Sequence, residues 1–171
     1  RATLFISTQW VEKATEFYTK QEYPLLHHWD AVNSLKTEPS QAVVSWSECE
    51  KMSDVFDIES HTHKHRESIF SSMDLEEDLQ LSRELIKKRL GKDSVHLCWP
   101  RGHFDDESIK IAKKIGYKCF YTVRRGANLP DGNMDRIKRL SMKEGRFWLW
   151  KSLNIYSNAY LGAFYSLFKQ E

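Results

Sequence analysis

The sequence contains few cysteines, and their positions argue against both a cysteine metal site and a disulfide framework. The 171 residues include Cys49, Cys98 and Cys119, which lie far apart and form no paired-cysteine metal motif. An odd number of widely spaced thiols is typical of reduced, partly buried side chains rather than of a disulfide framework. This pattern mildly favours a cytosolic location.

An excess of charge of one sign is also lacking. Lysine and arginine number 26 against 24 aspartates and glutamates, which gives a formal net charge of +2. Proteins that bind nucleic acid usually carry a basic face or run, so we expect no nucleic-acid partner. The 40% hydrophobic content and the six tryptophans argue against disorder. A chain of this length suits one domain, residues 1–171.

Strand and helix patterns alternate along the chain. The predicted strands are 2–6, 55–59, 95–99 and 117–123. The predicted helices are 10–18, a short one that starts at Ser45 or Ser47, 72–90 and 106–115. Residues 24–39 break the pattern and predict an irregular excursion, and 124–133 predict a turn-rich loop. Alternation at this spacing predicts βαβ units, a parallel sheet and an α/β fold.

Three of the seven histidines follow one predicted strand directly. His61, His63 and His65 come after the apolar alternation of 55–59, and Trp99 to His103 lie at the end of the next strand. Parallel sheets place their sites at the carboxyl ends of strands. Neutral imidazole is a good ligand for zinc and similar ions. The cluster therefore indicates a metal-dependent hydrolase, with a solvated basic turn as the alternative.

These motifs resemble the polysaccharide deacetylases of carbohydrate esterase family 4. The likeness covers roughly residues 1–128, and its most specific part is the family pattern His-Ser/Thr-x-x-His, present as His61, Thr62 and His65. The resemblance implies that His61 and His65 are two ligands of a divalent metal, most commonly zinc. Positions four apart face one ion if the chain turns into a helical segment, and a hydrogen bond from Thr62 can hold that turn. His63 would point away from the metal.

The same resemblance implies a fold and a set of missing parts. The fold is a distorted (β/α)7-type barrel, incomplete at its N-terminus. The family's first motif, a strand ending in Asp-Asp, supplies the catalytic base and the third metal ligand, and we expect it before Arg1. Asp105 and Asp106 do not replace it, because helix capping explains them. The late Leu-x-His motif is also absent, since no histidine follows His103. His103 is the candidate stand-in for its general acid.

The family's third motif corresponds to Cys98-Trp99-Pro100-Arg101 and departs from the usual Arg-x-Pro-Tyr or Arg-x-Pro-Phe. The resemblance implies that the backbone N–H of Arg101 stabilises the oxyanion, a role that survives a change of side chain. It also implies that Trp99, Pro100 and Arg101 contact substrate. The Arg101 side chain either meets a phosphate or carboxylate on the substrate or is an ordinary surface turn residue.

The implied activity is the removal of an N-acetyl, or similar N-acyl, group from an amino sugar of a glycan or lipid-linked saccharide of the bacterial cell envelope. A non-catalytic, carbohydrate-binding relative is the second hypothesis, favoured by Cys98 and the missing late histidine. A third hypothesis takes His61 and His63 as the His-x-His of an amidohydrolase or phosphoesterase barrel. That type of site needs later ligands, and only His96 and His103 remain to supply them.

The C-terminal segment 145–171 is rich in aromatic residues and leucine. One interpretation is a final amphipathic helix packed on the barrel. The other is an interfacial segment that makes peripheral contact with a membrane and brings the protein to a lipid-linked glycan. Its serines and asparagines make it too polar to span a bilayer. The corresponding location is cytoplasmic or associated with the inner membrane.

Overall fold

Five parallel strands form the sheet of the computed structural model, which describes residues 2–16, 30, 33–34, 42–66, 72–140 and 145–167. The strands are β1 (Ala2–Ile6), β2 (Phe56–Ser60), β3 (His96–Cys98), β4 (Cys119–Arg125) and β5 (Ile137–Arg139). Their order in the sheet is the order in the chain, and all four pairings are parallel. The predicted parallel α/β sheet is confirmed.

Helices connect the first four strands, two more follow β5, and several carry the start and stop signals of the sequence. They are α1 (Thr8–Glu16), α2 (Trp46–Met52), α3 (Ser72–Leu90), α4 (Asp106–Ile115), α5 (Arg146–Tyr156) and α6 (Ala159–Leu167). A capping box of Ser45 and Glu48 begins α2, and Asp105 caps α4. Gly116 ends α4 in the left-handed region, with φ of 115°. The bounds predicted for α3 and α4 are confirmed, whereas the predicted excursion at 24–39 falls almost wholly outside the described residues.

The two faces of the sheet have different neighbours. On the outer face, Ile58, Leu97 and Phe120 are completely buried and belong to the hydrophobic core beneath the helices. On the inner face, the rings of Phe5 on β1 and Tyr121 on β4 lie 5.0 Å apart. Three strand intervals in a flat sheet would separate these positions by about 14 Å. The sheet therefore curls strongly, as the wall of a barrel does.

Two parts of the fold differ from the prediction. The predicted loop 124–133 begins too early, because β4 continues to Arg125, and the short strand β5 was missed. The C-terminal segment forms two helices rather than one. Arg125 Nε donates to the hydroxyl of Tyr156 at 3.1 Å, which ties α5 to the end of β4. In the described part of the chain, no helix is both long and apolar enough to cross a membrane.

Candidate active site

The loop after β2 brings His61 and His65 together. The backbone N–H of His61 donates to Ile6 O at 2.8 Å, so β1 fixes the start of the loop. The backbone N–H of His65 donates to Thr62 Oγ1 at 3.1 Å, which is the turn-holding bond predicted for Thr62. The two imidazole rings lie 4.8 Å apart between centroids and meet edge to face.

The backbone achieves this without the predicted helical segment. Residues 61–66 contain bends and no helical residue, and both Thr62 (φ 66°) and His65 (φ 49°) adopt the left-handed region. Such backbone is uncommon for residues other than glycine and needs support from the surrounding structure. The expectation of a helical turn is therefore wrong, although the pairing of positions four apart is present.

Buried groups on α1 and α3 supply that support. The carboxylate of Asp78, 1% exposed, accepts hydrogen bonds from the backbone N–H groups of His63 at 2.7 Å and Lys64 at 2.9 Å. The Nδ1 atom of His63 is bonded to Thr8 Oγ1 at 2.9 Å. His63 is thus a buried side chain in the wall of the loop, held by α1.

The environment of His61 keeps its imidazole neutral. Burial is the main cause that lowers its pKa to about 4, and the neighbouring His65 and Arg139 lower it further, against a hydrogen bond to Cys98 O that raises it. Since a carbonyl oxygen only accepts, Nδ1 donates to Cys98 O over 2.6 Å. In this tautomer Nε2 carries the lone pair, and neutral imidazole is the form that binds metals.

The donor set fits a divalent metal in part. Two imidazoles suit zinc, and His65 is held by its ring contact with Trp10 at 4.4 Å between centroids. A catalytic zinc ion usually has three protein ligands and an open position. Within the described ranges, no group of three His, Cys, Asp or Glu side chains could hold an ion. The described residues therefore place two imidazoles together, one fewer side chain than such a site usually has.

The turn that follows β3 lies at the same edge of the sheet. Pro100–Gly102 forms a single 3₁₀ turn, and Arg101 within it is exposed and left-handed, with φ of 51°. The bond from His61 to Cys98 O joins the two loops directly. His103 is exposed, and its backbone N–H donates to Pro100 O at 3.1 Å. Arg101 and His103 are thus exposed residues of the turn that follows β3, the strand whose Cys98 O contacts His61.

Trp99 and Pro100 do not occupy the surface positions that substrate contact requires. Trp99 is 2% exposed, and its indole stacks on Phe104 and Phe120 at 5.5 and 6.1 Å between centroids. Pro100 is also buried. Alternation along β3 explains this, because Leu97 and Trp99 point to the outer, helix-covered face. Of the three predicted substrate-contacting residues, only Arg101 is exposed.

Arg139 is the residue of this region that sequence reasoning missed. It ends β5, and its Nε donates to Thr122 O at 2.7 Å. Its charge acts on both His61 and Cys98. The three residues of β5 give no strand signal of their own, so nothing in the sequence associates this arginine with the histidine loop.

The family model for polysaccharide deacetylases matches residues 1–120. The chain belongs to the polysaccharide deacetylase family. A poly-beta-1,6-N-acetyl-D-glucosamine N-deacetylase of Staphylococcus epidermidis is 30% identical over 102 residues, which are 54% of this chain and 35% of the relative. A putative polysaccharide deacetylase of Bacillus subtilis is 27% identical over 89 residues, 52% of this chain and 32% of the relative. The chain spans about a third of the length of these curated relatives.

Solved structures agree on the fold. The deacetylase domain of BpsB from Bordetella bronchiseptica aligns with a TM-score of 0.62 at 18% identity, over 80% of this chain and 59% of that one. A de-N-acetylase from Aggregatibacter actinomycetemcomitans aligns with a TM-score of 0.61 at 18% identity, over 85% and 62%. This likeness confirms the predicted barrel-like α/β fold of the polysaccharide deacetylases.

Proposed function

We propose that this polysaccharide deacetylase domain hydrolyses N-acetyl, or similar N-acyl, groups from the amino sugars of a polysaccharide. In this proposal, His61 and His65 hold a divalent metal. The observation that carries the proposal is the pair of facing imidazoles at the carboxyl edge of the sheet. The Staphylococcus epidermidis relative supports a substrate of linked N-acetylglucosamine units. Zinc is the metal that suits two imidazoles best among the common hydrolytic ions.

The residues of the candidate site have separate roles in this proposal. His61 donates from Nδ1 to Cys98 O, which leaves Nε2 to bind the metal, and Asp78 fixes the loop between the two ligands. A bound metal would polarise the amide carbonyl and lower the pKa of water. The backbone N–H of Arg101 would donate to the oxyanion, and His103 would protonate the leaving amine. A general base would accept the proton of the water, and the resemblance to the family implies an aspartate for that role.

Zinc titration of three alanine variants tests the ligand assignment. His61→Ala and His65→Ala should each abolish stoichiometric zinc binding, because each removes one of two ligands. His63→Ala should largely retain it, because His63 bonds to Thr8 instead. Loss of zinc in His63→Ala with retention in His65→Ala would overturn the assignment and favour the His-x-His type of site.

Acetate release from poly-β-1,6-N-acetyl-D-glucosamine tests the reaction. We expect zinc-dependent release that His61→Ala abolishes. The non-catalytic hypothesis retains one observation in its favour, since the described residues supply only two ligands. Glycan binding that survives His61→Ala, with no acetate released by the unmodified protein, would establish that alternative.

We also propose a peripheral membrane contact through 145–171, which would give access to a lipid-linked saccharide at the inner membrane. Phe147, Trp150, Tyr160 and Phe164 are 61 to 79% exposed on α5 and α6. Residues 145–167 contain two basic residues and no acidic one. Exposed aromatic rings beside positive charge suit an anionic lipid interface.

Co-sedimentation with vesicles of phosphatidylglycerol and phosphatidylcholine tests this contact. The double variant Trp150→Ser, Phe164→Ser should bind at least about tenfold more weakly, because two aromatic anchors are lost. Met73→Ser on α3 is the control, since Met73 is 86% exposed and lies on another element. Equal sedimentation of the double variant and the control would rule out this surface.

A further inference from the structure

Arg139 lies at an irregular point of the sheet that brings its side chain over β4. The pairing of β4 with β5 is shifted between Tyr121 and Arg125. Trp99 N donates to Tyr121 O, so the carbonyl of Tyr121 points to β3 and that of the next residue, Thr122, points to β5. The guanidinium of Arg139 donates to Thr122 O through Nε at 2.7 Å. The Nε atom of the guanidinium is therefore fixed by this hydrogen bond.

That anchor places the charge beside the histidine loop. Tyr121 is the register partner of Cys98 on β3. The carbonyl of Cys98 accepts the hydrogen bond of His61 at 2.6 Å. A short path of backbone contacts, from Thr122 through Tyr121 and Cys98, therefore connects the arginine to the metal-ligand pair at one edge of the sheet.

The neighbours of Arg139 along this path carry no negative charge. Its contact is with a backbone carbonyl, and Cys98 contributes a buried thiol. Within the described ranges, the ion pairs of the protein do not include Arg139. The side chain is exposed. A guanidinium with Nε committed still presents its Nη donors, in the geometry that suits a carboxylate.

We propose that Arg139 is the anion-binding residue of the site, and that its guanidinium holds the carboxylate that hydrolysis of the acyl group releases. The inference rests on the proposed function, because it assigns a role at that same site. Hydrolysis adds water across the amide: the C–N bond breaks, a C–O bond forms, and the products are a carboxylate and an amine that takes up a proton. Arg139 neither gives nor takes a proton in this scheme.

The competing role for Arg139 is purely structural. Its Nε would serve only as the hydrogen-bond donor for Thr122 O, where the pairing of β4 with β5 is shifted. Two substitutions separate the roles. Arg139→Gln keeps an N–H donor for Thr122 O but removes the charge. Arg139→Lys keeps the positive charge but loses the planar guanidinium with its paired N–H donors. Lys138→Gln is the matched control, since Lys138 is exposed, adjacent on β5 and directed to the other face.

The experiment measures sodium acetate binding by calorimetry with the zinc-loaded and the zinc-free chain, and zinc binding by competition with a chelator. We expect Arg139→Gln to weaken acetate binding about tenfold or more, Arg139→Lys to restore part of it, and Lys138→Gln to leave it unchanged. Zinc affinity should be equal or higher in Arg139→Gln, because a cation near His61 opposes a second one.

Three results would contradict the inference or the proposed function on which it rests. Unchanged acetate binding in Arg139→Gln overturns the inference. Loss of both zinc and acetate binding, with a lower melting temperature, also overturns it and assigns Arg139 a structural role. Failure of the unmodified chain to bind zinc through His61 and His65 contradicts the proposed function instead, and the zinc-free acetate titration then still decides the role of Arg139.

Discussion

Asp78→Asn is the substitution that most directly tests how the tertiary structure holds the histidine loop. The carboxylate accepts two backbone N–H groups, at 2.7 Å from His63 and 2.9 Å from Lys64. The amide of asparagine has nearly the same shape but only one acceptor oxygen. One N–H group therefore loses its acceptor and faces an N–H₂ group, while the other keeps a bond to a neutral oxygen.

The expected cost follows from these two bonds. A hydrogen bond to a charged group contributes about 1.5–3 kcal/mol and a neutral one about 1 kcal/mol. Losing one bond and weakening the other predicts a decrease of about 3 kcal/mol in the free energy of unfolding. Burial supports this value for His63, which is 8% exposed, whereas water can replace part of the bond at the half-buried Lys64. Zinc affinity should fall about 10- to 100-fold, as is typical when a group that orients ligands is lost.

Urea unfolding followed by tryptophan fluorescence measures the stability, and chelator competition measures zinc binding. The control is Glu77→Gln, the same carboxylate-to-amide change one position away on α3 at an exposed site. It should shift the free energy of unfolding by less than about 0.5 kcal/mol. If Asp78→Asn were as stable as Glu77→Gln and bound zinc equally well, the loop would not depend on Asp78 and the reasoning would be refuted.

Two further predictions concern the strands that carry the loops. Glu59→Ala should lower the free energy of unfolding by about 3 kcal/mol, because its buried Oε2 accepts from Ser94 Oγ and from the backbone N–H groups of Val95 and His96. Asp57→Ala is the control and should cost less than about 1 kcal/mol, because its side chain is 44% exposed and its ion pair with Lys92 is 3.9 Å long. Equal costs in urea unfolding would contradict this. Gly102→Ala should cost about 1–2 kcal/mol, because Gly102 has φ of 70° and a Cβ there would lie 2.5 Å from Val123 Cγ2. Adding Val123→Ala should recover the steric part of that cost in thermal unfolding, and a double variant no more stable than Gly102→Ala would show that no clash exists.

Local signals in the sequence were sufficient for the elements that begin and end with a cap. Helices α3 and α4 have the predicted bounds because acidic first turns, basic last turns and Gly91 or Gly116 act within a few residues of each end. The spacing of His61 and His65 likewise identified the pair that the structure brings together. These features depend on neighbours in the chain, so the chain alone reveals them.

The remaining features depend on contacts between distant residues. The two residues after the left-handed Thr62 donate to Asp78, which lies 16 residues beyond Thr62 in the chain and is buried because α3 packs on the sheet. Trp99 belongs to the core because the register of β3 turns it to the helix-covered face. Its place in the family's third motif does not reveal that orientation. The short strand β5 is stabilised by pairing with β4 rather than by its own composition. Sequence alone determined the family, the parallel α/β order and the histidine pair, whereas tertiary packing decided which side chains near that pair are buried and which face solvent.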